Sequence, residues 1–216
     1  MLMAICRIAS ILVVVLFSAQ VKAEEGEQLV VQVHPGWGQW KTITNRATPQ
    51  LLFVERIPET QNVQSIRDMV IEQTISGLPP QVTPAIALSS VHRGVASACE
   101  SSRINGPTVR TENGYPVAYG QFYCTKQKGA PYGVVAVQKF IRGKEKLYVV
   151  QREWRLPPFE FEVAGGTAGV ISSKYFPSPE ALLAWFDAVN ISMEYLGKQV
   201  VVCDSLDENK ACPKAP

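Results

Sequence analysis

Histidine is almost missing from this chain: the 216 residues hold only His34 and His92. There is no C-x-x-C pair, and His34 lies far in sequence from the cysteines, which argues against a metal centre. No G-x-S-x-G nucleophile elbow occurs, and no G-x-x-x-x-G-K-[ST] phosphate loop. A surplus of charge is also lacking. Lys and Arg number 21 against 19 Asp and Glu, too even for the basic footprint of a nucleic-acid binder or a polybasic membrane-surface protein. Long apolar runs are absent too. The longest, Ile8 to Phe17, falls short of the ~20 residues of a membrane span.

That run instead reads as the centre of a secretory signal peptide, Met1 to Ala23. Arg7 precedes it, and Val21-Lys22-Ala23 supplies small residues at −3 and −1 for cleavage after Ala23. Cleavage removes Arg7, Lys22 and Cys6. The mature chain then balances its charges and keeps four of five cysteines. An even set in an exported protein predicts two disulfides. Of three pairings, Cys99–Cys124 with Cys203–Cys212 is favoured. The first joins a helix end to a strand, and the second closes a short loop that tethers the polar tail 204–216. A chain of this length buries roughly 70% of its unfolded surface, so the bridges would reinforce a self-sufficient core. Residues 24–216 are read as one domain.

Period-two runs predict strands at Leu29–His34, Trp40–Arg46 and Gln50–Ile57, the first two paired across Pro35-Gly36-Trp37-Gly38. Asn62–Ile75 reads as a helical turn and then a strand, with one continuous helix as the competing reading. Thr83 and Pro84 open a helix to Ser102 with Leu88, Val91, Val95 and Cys99 as its apolar stripe. On that helix His92 lies beside the stripe and is placed at the surface or its boundary. Strands follow at Pro107–Glu112, Tyr115–Cys124, Val134–Arg142 and Lys146–Arg155. Asn113-Gly114 is a hairpin turn, and the charges on the second hairpin suggest one face in water. Ser178-Pro179-Glu180 starts a second helix with Leu182, Trp185, Phe186, Val189, Met193 and Leu196 buried, Gly197 at its end, and a last strand Val200–Cys203. The order predicts an α+β fold: an antiparallel sheet flanked by helices.

No catalytic constellation emerges, and no cofactor or metal is implied. His34 reads as a strand-end residue. Glu160 and Glu162 share a strand face, and solvent is the simplest explanation. Asn190-Ile191-Ser192 is a glycosylation sequon inside a helix, read as accidental. Lys139, Arg142, Lys144 and Lys146 form a basic hairpin end that could meet an acidic partner. Trp37, taken as more exposed than Trp40, is an interface candidate, and Tyr132 stands near another turn. The Gly-rich stretch 164–173 could cover a ligand.

Three segments carry a family resemblance: Glu55–Gly77 (ERIPETQNVQSIRDMVIEQTISG), Phe140–Arg155 (FIRGKEKLYVVQREWR) and Ser178–Cys203. They resemble the strand–turn–strand, hairpin and final helix–strand of exported bacterial proteins with the Mog1/PsbP-like fold, in particular the DcrB-like group. Ile66 stands where such proteins often carry an aromatic. The resemblance implies an α/β/α sandwich and a binding or assembly role without shared catalytic residues. The expectation is a periplasmic or secreted non-enzymatic accessory protein of the cell envelope. Its partner would be another envelope protein, and no membrane span would remain after cleavage. The alternative is a hydrolase or small-ligand binder using the 164–173 loop.

Overall fold

The computed structural model describes residues 26–32, 35–164, 167–207 and 212. The signal segment 1–23, His34, Gly165, Gly166 and the tail beyond Asp207 apart from Cys212 lie outside them. The chain is α+β. A seven-stranded antiparallel sheet runs in the order β2 (Trp40–Ala47), β3 (Leu51–Pro58), β4 (Asp68–Ser76), β8 (Lys146–Leu156), β7 (Gly133–Arg142), β6 (Tyr115–Cys124), β5 (Ser102–Glu112). Helix α1 (Pro84–Ser97) covers one face. Helix α2 (Pro179–Lys198) covers the other, together with a two-stranded ladder of β1 (Glu27–Val31) and β11 (Val200–Asp204). A small ribbon, β9 (Phe161–Ala164) with β10 (Thr167–Ile171), leads into α2.

Turn chemistry sets the hairpins. Thr48 Oγ1 accepts the N–H groups of Gln50 and Leu51 and closes β2 onto β3. Asn113 (φ 47°) and Gly114 (φ 75°) make the left-handed pair that reverses β5 into β6. Asn62 Oδ1 accepts from Gln64 N and Ser65 Oγ, which forms the expected turn before β4. The expected β1–β2 hairpin does not form. β2 pairs with β3, while β1 pairs with β11 from Glu27↔Asp204 to Val31↔Val200. Leu29 and Val31 pack on the α2-side core, and β11 follows α2 with no loop, so it lies where β1 can reach it.

The central strands are buried on both faces, contrary to the expected wet face. In β7, Val135, Val137, Lys139 and Ile141 look toward α2, while Val134, Ala136, Gln138 and Phe140 look toward α1. Helix α1 is shorter than expected and ends at Ser97, so the chain is already extended at Ser102. Thr83 Oγ1 caps it by accepting Ile86 N at 3.2 Å. Its buried positions are Pro84, Leu88 and His92, not Val91 and Val95. His92 is 2% exposed: its Nε2 meets Gln138 Oε1 at 2.7 Å inside the core, while its Nδ1 finds no hydrogen-bond partner among the described residues.

Helix α2 runs two residues past its expected end, with Gly197 inside its last turn. Val189, Ser192, Tyr195 and Leu196 are its buried residues, with Trp185 and Met193 half-buried beside them. Both disulfides join the expected partners, Cys99–Cys124 and Cys203–Cys212. Cys99 and Cys124 share a buried cluster with Phe122, Val134 and Ala136.

Candidate ligand cleft

Lys139 sits at the centre of the α2-facing side with no exposed side-chain surface. An ammonium has three donors and no acceptor. Here the three meet Glu112 Oε2 at 2.6 Å, Leu196 O at 2.8 Å and Val200 O at 2.6 Å. The Leu196 carbonyl belongs to the last turn of α2, where the helix leaves carbonyls without intrahelical donors and its dipole favours a cation. Lys139 therefore caps α2 from beneath and fixes the start of β11. Burial pulls the Lys139 ammonium below the usual lysine value, and the bond to Glu112 opposes that pull.

Glu112 collects three donors. Besides Lys139 it accepts from the Tyr119 hydroxyl at 2.6 Å and from Arg110 Nε. Burial alone would raise its carboxyl, but the bonds from Lys139, Tyr119 and Arg110 outweigh burial and hold it below the ordinary carboxylate value. Tyr119 is pushed well above the usual tyrosine value, first by burial and then by its bond to Glu112. Its hydroxyl accepts Arg110 Nη2 at 2.9 Å, and the guanidinium carbon lies 4.4 Å from the ring centroid. Arg110 is raised above its usual value, chiefly by the bond to Tyr119. The quartet is thus three charged groups and one neutral hydroxyl in which each polar group holds another.

One side of this quartet opens into a cleft of about 670 Å³ between the β5–β6 edge and the C-terminal half of α2. Asn105, Thr108, Arg110, Gln121, Met193 and Gly197 are among its lining residues. The register set by the Asn113-Gly114 turn places Thr108 opposite Tyr119, and a bulge between Thr108 and Asn105 then shifts β5. Gly106 makes the bulge possible, because at φ 104° a Cβ would stand 2.7 Å from Tyr119 O. Gly197 likewise leaves room for the guanidinium: a Cβ there would come within 3.2 Å of Arg110 Nη2. The Arg110 side chain keeps 53% of its surface exposed, and Asn105 Nδ2 donates to Gln121 Oε1 at 3.2 Å.

No protein-family model matches the chain. No curated protein matches it. Among solved structures it is similar to LpqN of Mycobacterium tuberculosis, a protein described as involved in cell envelope biogenesis. The identity is 12%, the match covers 82% of this chain and 91% of that one, and the TM-score is 0.33.

The residues singled out from sequence are dispersed. Lys139 is buried in the quartet, so the expected basic hairpin end loses one of its four charges. Arg142 donates to Leu78 O and Pro79 O and ties down the approach to α1. Lys144 pairs with Asp204 Oδ2 at 2.6 Å and, through its backbone N–H, with Glu27, which anchors the β1–β11 ladder. Lys146 is half-buried at the start of β8. What remains is structural bracing more than an open cationic surface. Trp37 is half-buried, as is Trp40, and is not the exposed member of the pair. Its ring stacks 3.8 Å from the Arg152 guanidinium and 4.3 Å from Tyr195. Arg152 in turn holds Asp68 through two bonds and Ser192 Oγ through a third, which pins α2 to the sheet.

Tyr132 lies under Arg155, 4.8 Å from ring centroid to guanidinium carbon. Glu160 pairs with Lys174 at 2.6 Å, and both are exposed. The side chains of residues 162–170, Glu162 among them, are outside the described residues, so the loop reading gains no geometry. Arg110, Glu112 and Tyr119 were missed. Arg110 and Glu112 share a face with Tyr119 in the regular hairpin register, but Lys139 and the end of α2, which complete the quartet, come from distant segments.

Proposed function

We propose that the chain is exported through Met1–Ala23 and works in the periplasm as a non-enzymatic binding or assembly-accessory protein of the bacterial cell envelope. The cleft between α2 and the β5–β6 edge is its binding site. The observation that carries this reading is the state of the quartet. The Tyr119 hydroxyl donates its hydrogen bond to Glu112, Glu112 is held as a carboxylate by three donors, and Lys139 uses all three of its own. Groups so engaged offer neither a base nor a nucleophile. They do make a rigid, pre-organised wall for recognition. Two disulfides support an oxidising compartment, and no helix among the described residues is long and apolar enough to cross a membrane.

The test uses the full chain expressed in a Gram-negative host. The expected product is released by osmotic shock, begins at Glu24 and carries both disulfides. A photocrosslinking residue at Thr108 should capture an envelope protein or component, and the adduct should disappear when Met193→Trp fills the cleft. Retention in the cytoplasm with an intact N-terminus, or an adduct indifferent to Met193→Trp, refutes the proposal.

A further inference from the structure

We infer that the cleft is a receptor for a single carboxylate, carried by a peptide C-terminus or by a small sugar acid. The inference rests on the cleft being the binding site. Arg110 spends Nε on Glu112 and one Nη2 proton on Tyr119. Its Nη1 makes no hydrogen bond to another described residue. The Nη1–Nη2 end of the guanidinium therefore presents two parallel N–H groups, the fork that matches a carboxylate bidentately. The backing of Tyr119 and Glu112 holds that fork in place before any ligand arrives.

Charge sets the valence. Lys139 and Arg110 bring two positive charges against the one carboxylate of Glu112. At the rim Glu194 and Lys198 neutralise each other at 2.5 Å. One positive charge is left over, which suits a monoanion. A phosphate dianion would bring a second negative charge toward Glu112 and Glu194. Next to the fork, Gln121 Nε2, Asn105 Oδ1 and the Thr108 hydroxyl supply both donors and acceptors, fitting amides or hydroxyls on the same ligand. Met193 and the bare backbone of Gly120 and Gly197 supply an apolar wall. A cleft of about 670 Å³ is in the range of small-ligand sites.

The experiment is calorimetric titration of the oxidised mature protein, repeated by native mass spectrometry. The probes are N-acetyl-dialanine, its C-terminal amide, galacturonate, galactose and inorganic phosphate. The expected result is binding of at least one carboxylate, with its neutral analogue at least tenfold weaker. A preference for the peptide or for the uronate identifies the source. Arg110→Lys keeps the charge beside Glu112 but loses the fork, and should weaken carboxylate binding about tenfold or more. Met193→Trp should abolish it, with the melting temperature of both variants measured as the folding control. Equal binding of acid and neutral analogue, tighter binding of phosphate, or an Arg110→Lys variant that binds like the parent overturns the inference. If no carboxylate binds yet the Met193-sensitive photoadduct persists, the ligand class falls and the cleft stands. If both vanish, both fall.

Discussion

Replacing Glu112 by Gln changes one oxygen for one nitrogen and removes the negative charge between Lys139 and Arg110. Lys139 has no exposed side-chain surface, so its ammonium would be left in the interior facing two carbonyls and a neutral amide. Removing one partner of a buried ion pair costs about 3–5 kcal/mol. Glu112 keeps 19% of its side-chain surface exposed, and water recovers part of the loss, which places the expectation near ~3 kcal/mol. For a chain of this size that corresponds to a fall in Tm of roughly 6–12 °C. The carboxyl sits below its ordinary value in the folded protein. Its contribution is therefore complete above the unfolded value of 4.5 and disappears as the pH falls through the lower folded value. The stability gap between parent and Glu112→Gln should be full at pH 7 and shrink below about pH 4.5. Urea denaturation followed by tryptophan fluorescence, with disulfides intact, measures the gap at each pH. Lys139→Met provides a cycle: the double variant should lose about 1–3 kcal/mol less than the sum of the single ones. A Glu112→Gln protein within ~0.5 kcal/mol of the parent at pH 7, strict additivity, or a gap that widens in acid refutes the account of the quartet.

Three further outcomes can be checked by the same denaturation assay. Gly120→Ala places a methyl 2.8 Å from His92 Cε1 and 2.9 Å from Leu88 Cδ2, between α1 and the sheet, and should destabilise by about 1–3 kcal/mol. His92 is lowered by burial, against a weaker upward pull from Gln138, so the fold disfavours its protonation. Stability should decline as the pH falls below 6.5, and His92→Gln should flatten that slope between pH 6.5 and 5. Deleting the Cys99–Cys124 bridge, with a sequence separation of 25, should cost about 3.5 kcal/mol. Deleting Cys203–Cys212, with a separation of 9, should cost about 2.6 kcal/mol, so the first variant melts lower.

Much of the fold can be read from local chemistry. Thr83-Pro84 and Ser178-Pro179 open the helices where their hydroxyls accept Ile86 N and Ala181 N. Asn113-Gly114 turns the β5–β6 hairpin, and the period-two runs of β3, β6, β7 and β8 lie within a residue or so of where they were expected. The failures share a physical origin: they depend on what packs from far away. β1 prefers a strand of far higher number over its neighbour because α2 delivers β11 next to it. His92 is buried at the expense of Val91, where Gln138, on another element, meets one of its two ring nitrogens. Lys139 looks like an ordinary solvated lysine until α2 folds over it with carbonyls that lack donors. The cleft was unreadable for the same reason. Arg110, Tyr119 and Met193 come from two strands and a helix: the Asn113-Gly114 hairpin aligns the first two, and only the packing of α2 brings in the third.

The ladder between β1 and β11 joins the start of the described chain to its end: Gly26 N–H bonds Ser205 Oγ across 179 residues. Ribosomes synthesise about 5–20 residues per second, so β1 emerges on the order of ten to forty seconds before its partner exists. Throughout that interval Leu29 and Val31 have no strand to pair with and no completed core to rest on. This ladder cannot close before Val200–Asp204 exists, and the same strand meets the Lys139 ammonium that caps α2. A chain ending before Val200 would lack both the partner of β1 and one of the three acceptors of Lys139, so the seat of α2, and with it the cleft wall of Met193 and Gly197, depends on the last strand.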